Sequence, residues 1–245
     1  MERPASDRPA LTMSATPPPR QLPLDLGHRA EYSRDHLVVS AANEAAVAMI
    51  DRWPDWPAPV VVLAGPTGSG KTHLARIWMA RAAAIAPAVG DIAAVDPALL
   101  AERPILVDGI APGAFDETAL FHLINSVRAA GSSLLLTSRH FPAAWGTGLA
   151  DLNSRLKAAT LVEIGEPDDI LLAGVITKLF ADRQVEIERH VVHYLIARIE
   201  RSLSTANRVV ERLDRAAMEQ KCRISRALAA QVIGAMDAGQ GGLDL

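Results

Sequence analysis

The sequence predicts an α/β fold, a parallel sheet flanked by helices, followed by a small all-α domain. Three observations carry the prediction. Apolar runs of strand length, Val60 to Ala64, Ile105 to Val107, Ser133 to Thr137 and Thr160 to Ile164, alternate with stretches of helical periodicity. A glycine-rich octapeptide, Gly65-Pro66-Thr67-Gly68-Ser69-Gly70-Lys71-Thr72, joins the first run to a helix. Beyond Pro167 every apolar repeat has helical spacing.

Residues 1–20 carry Pro4, Pro9, Pro17, Pro18 and Pro19 among small and charged residues, without apolar periodicity to offset the cost of ordering, and a disordered tail is expected. It ends at a short apolar cluster, Gln21-Leu22-Pro23-Leu24-Asp25-Leu26. His36 to Val39 reads as a brief extended piece, and Asn43 to Asp51 as a helix carrying Ala46, Val47, Met49 and Ile50. Pro54 and Pro57 bias their predecessors away from helix, so Trp53 to Pro57 is a loop. After the octapeptide, Thr72 to Ala86 is an Ala-rich helix and Ile92 to Val95 a weak candidate strand. Asp116 to Ala130 is a helix with Leu120, Phe121, Leu123, Ile124 and Val127 on one face, acidic residues at its start and Gly131 as its stop. Four helices follow the last strand: Ile170 to Phe180, Val191 to Ile199, Ala206 to Met218 and Ala227 to Met236. The expected organisation is a tail over 1–20, a peptide over 21–26, a sheet domain over 36–166, a helical domain over 167–236 and a frayed end over 237–245.

Composition narrows the function. The 245 residues, 49% of them apolar, suffice for a full core, and a net charge of −3 gives no basic footprint for direct, non-specific or sequence-specific DNA binding. The one cysteine, Cys222, excludes an internal disulfide and a cysteine-cluster metal site. No run of about 18 apolar residues exists to span a membrane and no signal-peptide core opens the chain, so a cytoplasmic protein is expected.

The octapeptide fits G-x-x-x-x-G-K-[ST], the P-loop pattern. Its backbone N–H groups would wrap a phosphate, Lys71 would reach the β and γ oxygens, and Thr72, with His73 next to it, begins a helix whose positive end faces the phosphate. A nucleotide, ADP or ATP with Mg²⁺, is the implied cofactor. Thr72 would bind the metal, and Asp108, at the end of a neighbouring apolar run, would support it through water. The position after Asp108, where an ATPase would place a carboxylate to orient water, is Gly109, so weak hydrolysis is expected. Asp116 and Glu117 are a substitute acidic pair or, more simply, helix caps. Thr137-Ser138-Arg139 ends the next strand at the same sheet edge, where a side chain could sense the γ-phosphate. Arg155 precedes the last strand, and Arg208, Arg212 and Arg215 form a row on one helix that spacing alone reads as a solvated face.

In this order the P-loop, Asp108, Ser138, Arg155 and Arg208 resemble AAA+ ATPases of the DnaA type, and within them the Hda branch of regulators in its alphaproteobacterial form. The likeness extends over about residues 20–236 and includes Asp116 to Asn125, Asp151 to Leu156, Lys178 to Gln184 and Glu200 to Leu203. It implies an AAA+ P-loop sheet domain with a helical lid. It also implies that Ser138 is the sensor-1 residue, Arg155 an arginine finger acting in trans, Arg208 the lid (sensor-2) arginine, and Val38, Val39 and Asn43 neighbours of the adenine. Gln21, Leu22, Leu24 and Leu26 resemble the short peptide by which that branch binds the DNA sliding clamp. Two positions depart from the family: Gly109 stands where an acid is usual, and Arg139 where DnaA has an Asp.

The function this resemblance implies is a clamp-associated, ADP-bound regulator that stimulates hydrolysis of DnaA-bound ATP, with the clamp and DnaA as partners and room for a homo-oligomer. Alternatives are a DnaA-like initiator or helicase loader, which would need a DNA-reading domain or a helicase-binding segment, and a P-loop small-molecule kinase.

Overall fold

The computed structural model describes residues 34, 37–96, 98–99 and 102–240. The tail and the Gln21–Leu26 peptide lie outside the described residues, as does the end beyond Gln240. The elements run α1 (Glu44–Arg52), β1 (Val60–Ala64), α2 (Lys71–Ala82), β2 (Ile105–Ile110), α3 (Glu117–Ala129), β3 (Leu134–Ser138), α4 (Ala150–Lys157), β4 (Thr160–Glu163), α5 (Asp169–Asp182), α6 (Arg189–Ile196), α7 (Leu203–Gln220) and α8 (Arg226–Gln240). The expected α/β sheet with a helical C-terminal part is present.

All four strands are parallel in the order β2-β3-β1-β4, so β1, which feeds the P-loop, is internal and wholly buried. Alternation along each strand assigns the two faces. Val60, Val62, Ile105, Val107, Leu134 and Leu136 pack with Leu120, Leu123, Ile124 and Val127 of α3 and Leu152 and Leu156 of α4. Val61, Leu63, Leu106 and Leu135 pack with Ala46, Val47 and Ile50 of α1 and Leu74, Ala75 and Trp78 of α2. Trp56 of the proline-bounded loop stacks on Trp78 at 5.1 Å, fastening that loop to the P-loop helix. The helices α5 to α8 have a core of their own, built on Leu172, Ile176, Phe180, Val191, Leu195, Val209, Val210, Leu213 and Leu228.

Three local expectations are corrected. Ile92 does not lie in a strand: Val89–Ala94 is a 3-10 turn in which Ile92 is the buried residue, because one isoleucine among alanines and Gly90 cannot cover a pleated face. The P-loop helix stops at Ala82, where Ala83 turns left-handed at φ 49°, and Ile85 then bridges in parallel to Ile105. The last helix continues past Met236 to Gln240, so 237–240 is helical rather than frayed.

Candidate nucleotide site

The P-loop leaves β1 at the carboxyl edge of the sheet, where the Gly65 amide donates to the Ser138 carbonyl at 3.2 Å. The Lys71 ammonium donates to the carbonyls of Gly65 and Pro66, 2.7 Å each. Burial lowers the Lys71 pKa; the Asp108 carboxylate opposes this and the Arg139 guanidinium adds to it. Thr72 Oγ1 donates to Asp108 Oδ1 at 3.2 Å. A hydroxyl and a carboxylate oxygen side by side form the hard, all-oxygen donor set that Mg²⁺ prefers. No group of three or more His, Cys, Asp and Glu side chains among the described residues could hold a metal. Thr72 and Asp108 would therefore hold Mg²⁺ together with phosphate and water oxygens, which suits the ion.

The side chain that meets Asp108 across the sheet is Thr137. Its Oγ1 donates to Asp108 Oδ1 at 2.5 Å and accepts the Gly109 amide at 2.8 Å. Ser138, which the resemblance makes the sensor, is one residue on and so faces the other side. There it is buried and its Oγ accepts Trp145 Nε1 at 3.1 Å. Gly109 has φ 88° at an irregularity in the β2–β3 register between Val107 and Ile110. No neighbour crowds it, yet an acidic residue there would have to enter the left-handed region.

Asp116 and Glu117 act as caps. Asp116 Oδ1 accepts the amides of Thr118 and Ala119, and Glu117 reaches from α3 to accept the amides of Gly148 and Leu149 at the start of α4. Asn153 Nδ2 donates to the Thr147 carbonyl at 3.0 Å, a second tie on that end. With Leu152 and Leu156 buried, α4 is fixed and Arg155 is left half-exposed on it. No carboxylate among the described residues pairs with the Arg155 guanidinium.

The lid meets the P-loop through residues that the spacing did not single out. The Leu203 amide donates to the Gly68 carbonyl at 2.8 Å, and Ser202, the N-cap of α7, lies so close that a Cβ on Gly68 would come 2.1 Å from its Oγ. Arg208 is exposed further along α7, with Nη2 on Thr205 Oγ1 at 3.0 Å; Thr205 Oγ1 in turn donates to Glu200. Val38 packs against Gly174 of α5, where an added Cβ would lie 2.7 Å from Val38 Cγ1. Asn43 fixes that segment by donating to the Val38 carbonyl at 3.0 Å and accepting the Ser40 amide at 2.9 Å, while Val39 stays 41% exposed. Burial depresses the His73 pKa, and Lys178 of α5 adds to the effect. Val38, Asn43 and His73 thus border one edge of α5 and the P-loop.

Asp168, the N-cap of α5, joins sheet to lid. Its Oδ1 accepts the Leu171 amide at 2.7 Å. That bond holds its carboxyl below the ordinary 3.8, against a small opposing effect of burial and with help from the Ser40 hydroxyl and the Ala42 amide. Because the folded pKa is depressed, the contribution to stability is present above the unfolded pKa and is lost as pH falls through the folded one. Asp168→Ala is expected to cost about 0.5–2 kcal/mol at neutral pH, as loss of an N-cap does. Urea melts of both proteins at pH 7 and near pH 3 should show the difference shrinking in acid.

No family model matches the chain. It is 28% identical over 178 residues to an uncharacterized protein of Haemophilus influenzae, covering 67% of this chain and 77% of that one. It is also 28% identical over 226 residues to the chromosomal replication initiator protein DnaA of Sphingopyxis alaskensis, covering 80% of this chain but only 49% of the initiator. Among solved structures, domain III of the Thermotoga maritima replication initiation protein DnaA superposes with a TM-score of 0.70 at 15% identity, covering 84% of this chain and 97% of that one. The fold is that of the DnaA AAA+ domain. AMPPCP-bound DnaA from Aquifex aeolicus matches with a TM-score of 0.62 at 18% identity, covering 77% of this chain and 65% of the other. Among the described residues no helix is long and apolar enough to cross a membrane.

Proposed function

We propose that this DnaA-related chain is a regulator of replication initiation of the Hda type, which retains ADP and acts on ATP held by DnaA. The observation that carries the reading is Gly109. The site has its phosphate loop and a metal acid tied to Thr72 and Thr137, but the residue after that acid is a glycine at φ 88°. It is built to hold a nucleotide and lacks the carboxylate that would orient attacking water in cis.

The unpaired Arg155 supports the second half. On a firmly capped helix, a guanidinium without a carboxylate is available to a neighbouring molecule, where it would meet the γ-phosphate of DnaA-bound ATP as an arginine finger. Gln21, Leu22, Leu24 and Leu26 would load the protein on the sliding clamp as a short peptide filling a pocket. ADP with Mg²⁺ would occupy Gly65 to Thr72, with Val38, Val39 and His73 towards the base and Ser138 and Arg208 in supporting roles.

The test is turnover of DnaA-bound ATP with clamp loaded on DNA. The wild-type chain should accelerate it, and a variant with Gln21→Ala and Leu22→Ala should lose most of that effect. Full stimulation by the variant would remove the clamp from the account.

A further inference from the structure

The nucleotide site holds a cation that the reading above does not use. The strand β3 ends at Ser138, whose carbonyl accepts the Gly65 amide at 3.2 Å, so the next residue, Arg139, leaves the sheet at the entrance to the P-loop. Lys71 is tied to that same entrance through its 2.7 Å bond to the Gly65 carbonyl. The Arg139 guanidinium is near enough to depress the Lys71 pKa, behind burial as the main cause. Arg139 is exposed, and no carboxylate among the described residues pairs with it.

Lys71 and Arg139 therefore share one mouth with one acid, Asp108, which is already engaged by Thr72 and Thr137. Two like charges close together disfavour each other until an anion balances them. A guanidinium is suited to that anion because its fork binds two phosphate oxygens at once.

We propose that Arg139 is a phosphate-binding residue of the nucleotide site, a second cation beside Lys71 that selects nucleoside di- and triphosphates over monophosphates. The selection follows from position. The contact is made at the loop mouth, where Lys71 meets the terminal phosphates, whereas the base and ribose lie towards Val38 and α5. The inference rests on the reading that the P-loop holds a nucleotide.

Calorimetric titration with ADP and with AMP, on wild type, Arg139→Ala, Arg139→Lys and Lys71→Ala, tests it. In Arg139→Ala, ADP affinity should fall by about tenfold to a hundredfold, the range of a hydrogen bond to a charged group. AMP affinity should not change, and Arg139→Lys should recover part of the loss. Without nucleotide, the melting temperature of Arg139→Ala should equal or exceed that of wild type, since a repulsion has been removed. Wild-type ADP affinity in Arg139→Ala, with Lys71→Ala defective, would overturn the proposal and leave the P-loop reading intact. Equal losses for ADP and AMP with a lowered melting temperature would also overturn it, by showing a structural role. Failure of wild type to bind either nucleotide would overturn the P-loop reading itself.

Discussion

Arg155→Ala is expected to lower the stimulation of DnaA-bound ATP hydrolysis by roughly 10³–10⁵, the contribution of an arginine finger supplied in trans. The variant should keep its own ADP affinity and melting temperature. The reason lies in how α4 is held. Leu152 and Leu156 bury the inner face, and Glu117 caps the helix from α3, so the fold does not depend on the half-exposed Arg155. Removing an unpaired guanidinium also strands no buried carboxylate. Arg155→Lys should restore little, because an ammonium offers one point charge where the fork spans two phosphate oxygens. Single-turnover phosphate release from DnaA, measured beside thermal melts, separates loss of the finger from loss of the fold.

The second large effect is expected at Gly68. Its φ of 77° lies in the left-handed region, and a Cβ there would stand 2.1 Å from Ser202 Oγ and 2.8 Å from Ser202 Cβ. Gly68→Ala should cost about 1–3 kcal/mol in backbone strain, with the clash added. The clash pushes the start of α7 off the loop and breaks the 2.8 Å bond from the Leu203 amide to the Gly68 carbonyl. With the lid displaced, ADP release should accelerate by about tenfold to a hundredfold, since each 1.4 kcal/mol is a factor of ten. Ser202→Gly placed beside Gly68→Ala removes both atoms that the methyl would strike, so the double variant should regain lid contact while retaining the strain. The difference between the double and single variants then measures the contact itself. Release of a fluorescent ADP analogue and thermal melts check it. Unchanged release in Gly68→Ala would mean that the lid does not govern retention.

What the sequence disclosed, and what it hid, follows the range of the interactions. The strand Val60–Ala64 and the loop after it were legible because each rests on local chemistry, a continuous apolar run and a spaced set of glycines. Helix α4 was not, because its inner face has only Leu152 and Leu156, one turn apart, and its N-terminal cap comes from Glu117, distant in the chain. The motif brought Ser138 forward, yet the residue against Asp108 is Thr137. Strand parity decides between neighbours, and parity relative to β2 depends on a register irregularity that no sequence pattern marks. Ser202 and Leu203 belonged to a stretch noticed only as a family likeness, since their contact with Gly68 joins segments far apart in sequence.

The central claim is that the consequential hydrolysis takes place on a partner. It is tested most directly by loading DnaA with labelled ATP, supplying this chain in its ADP form with clamp on DNA, and following label release in a single turnover. Accelerated release from DnaA, with no ATP turnover by this chain alone, is the predicted result. Rapid turnover by this chain alone, with DnaA-bound ATP decaying at its unassisted rate, would contradict the account.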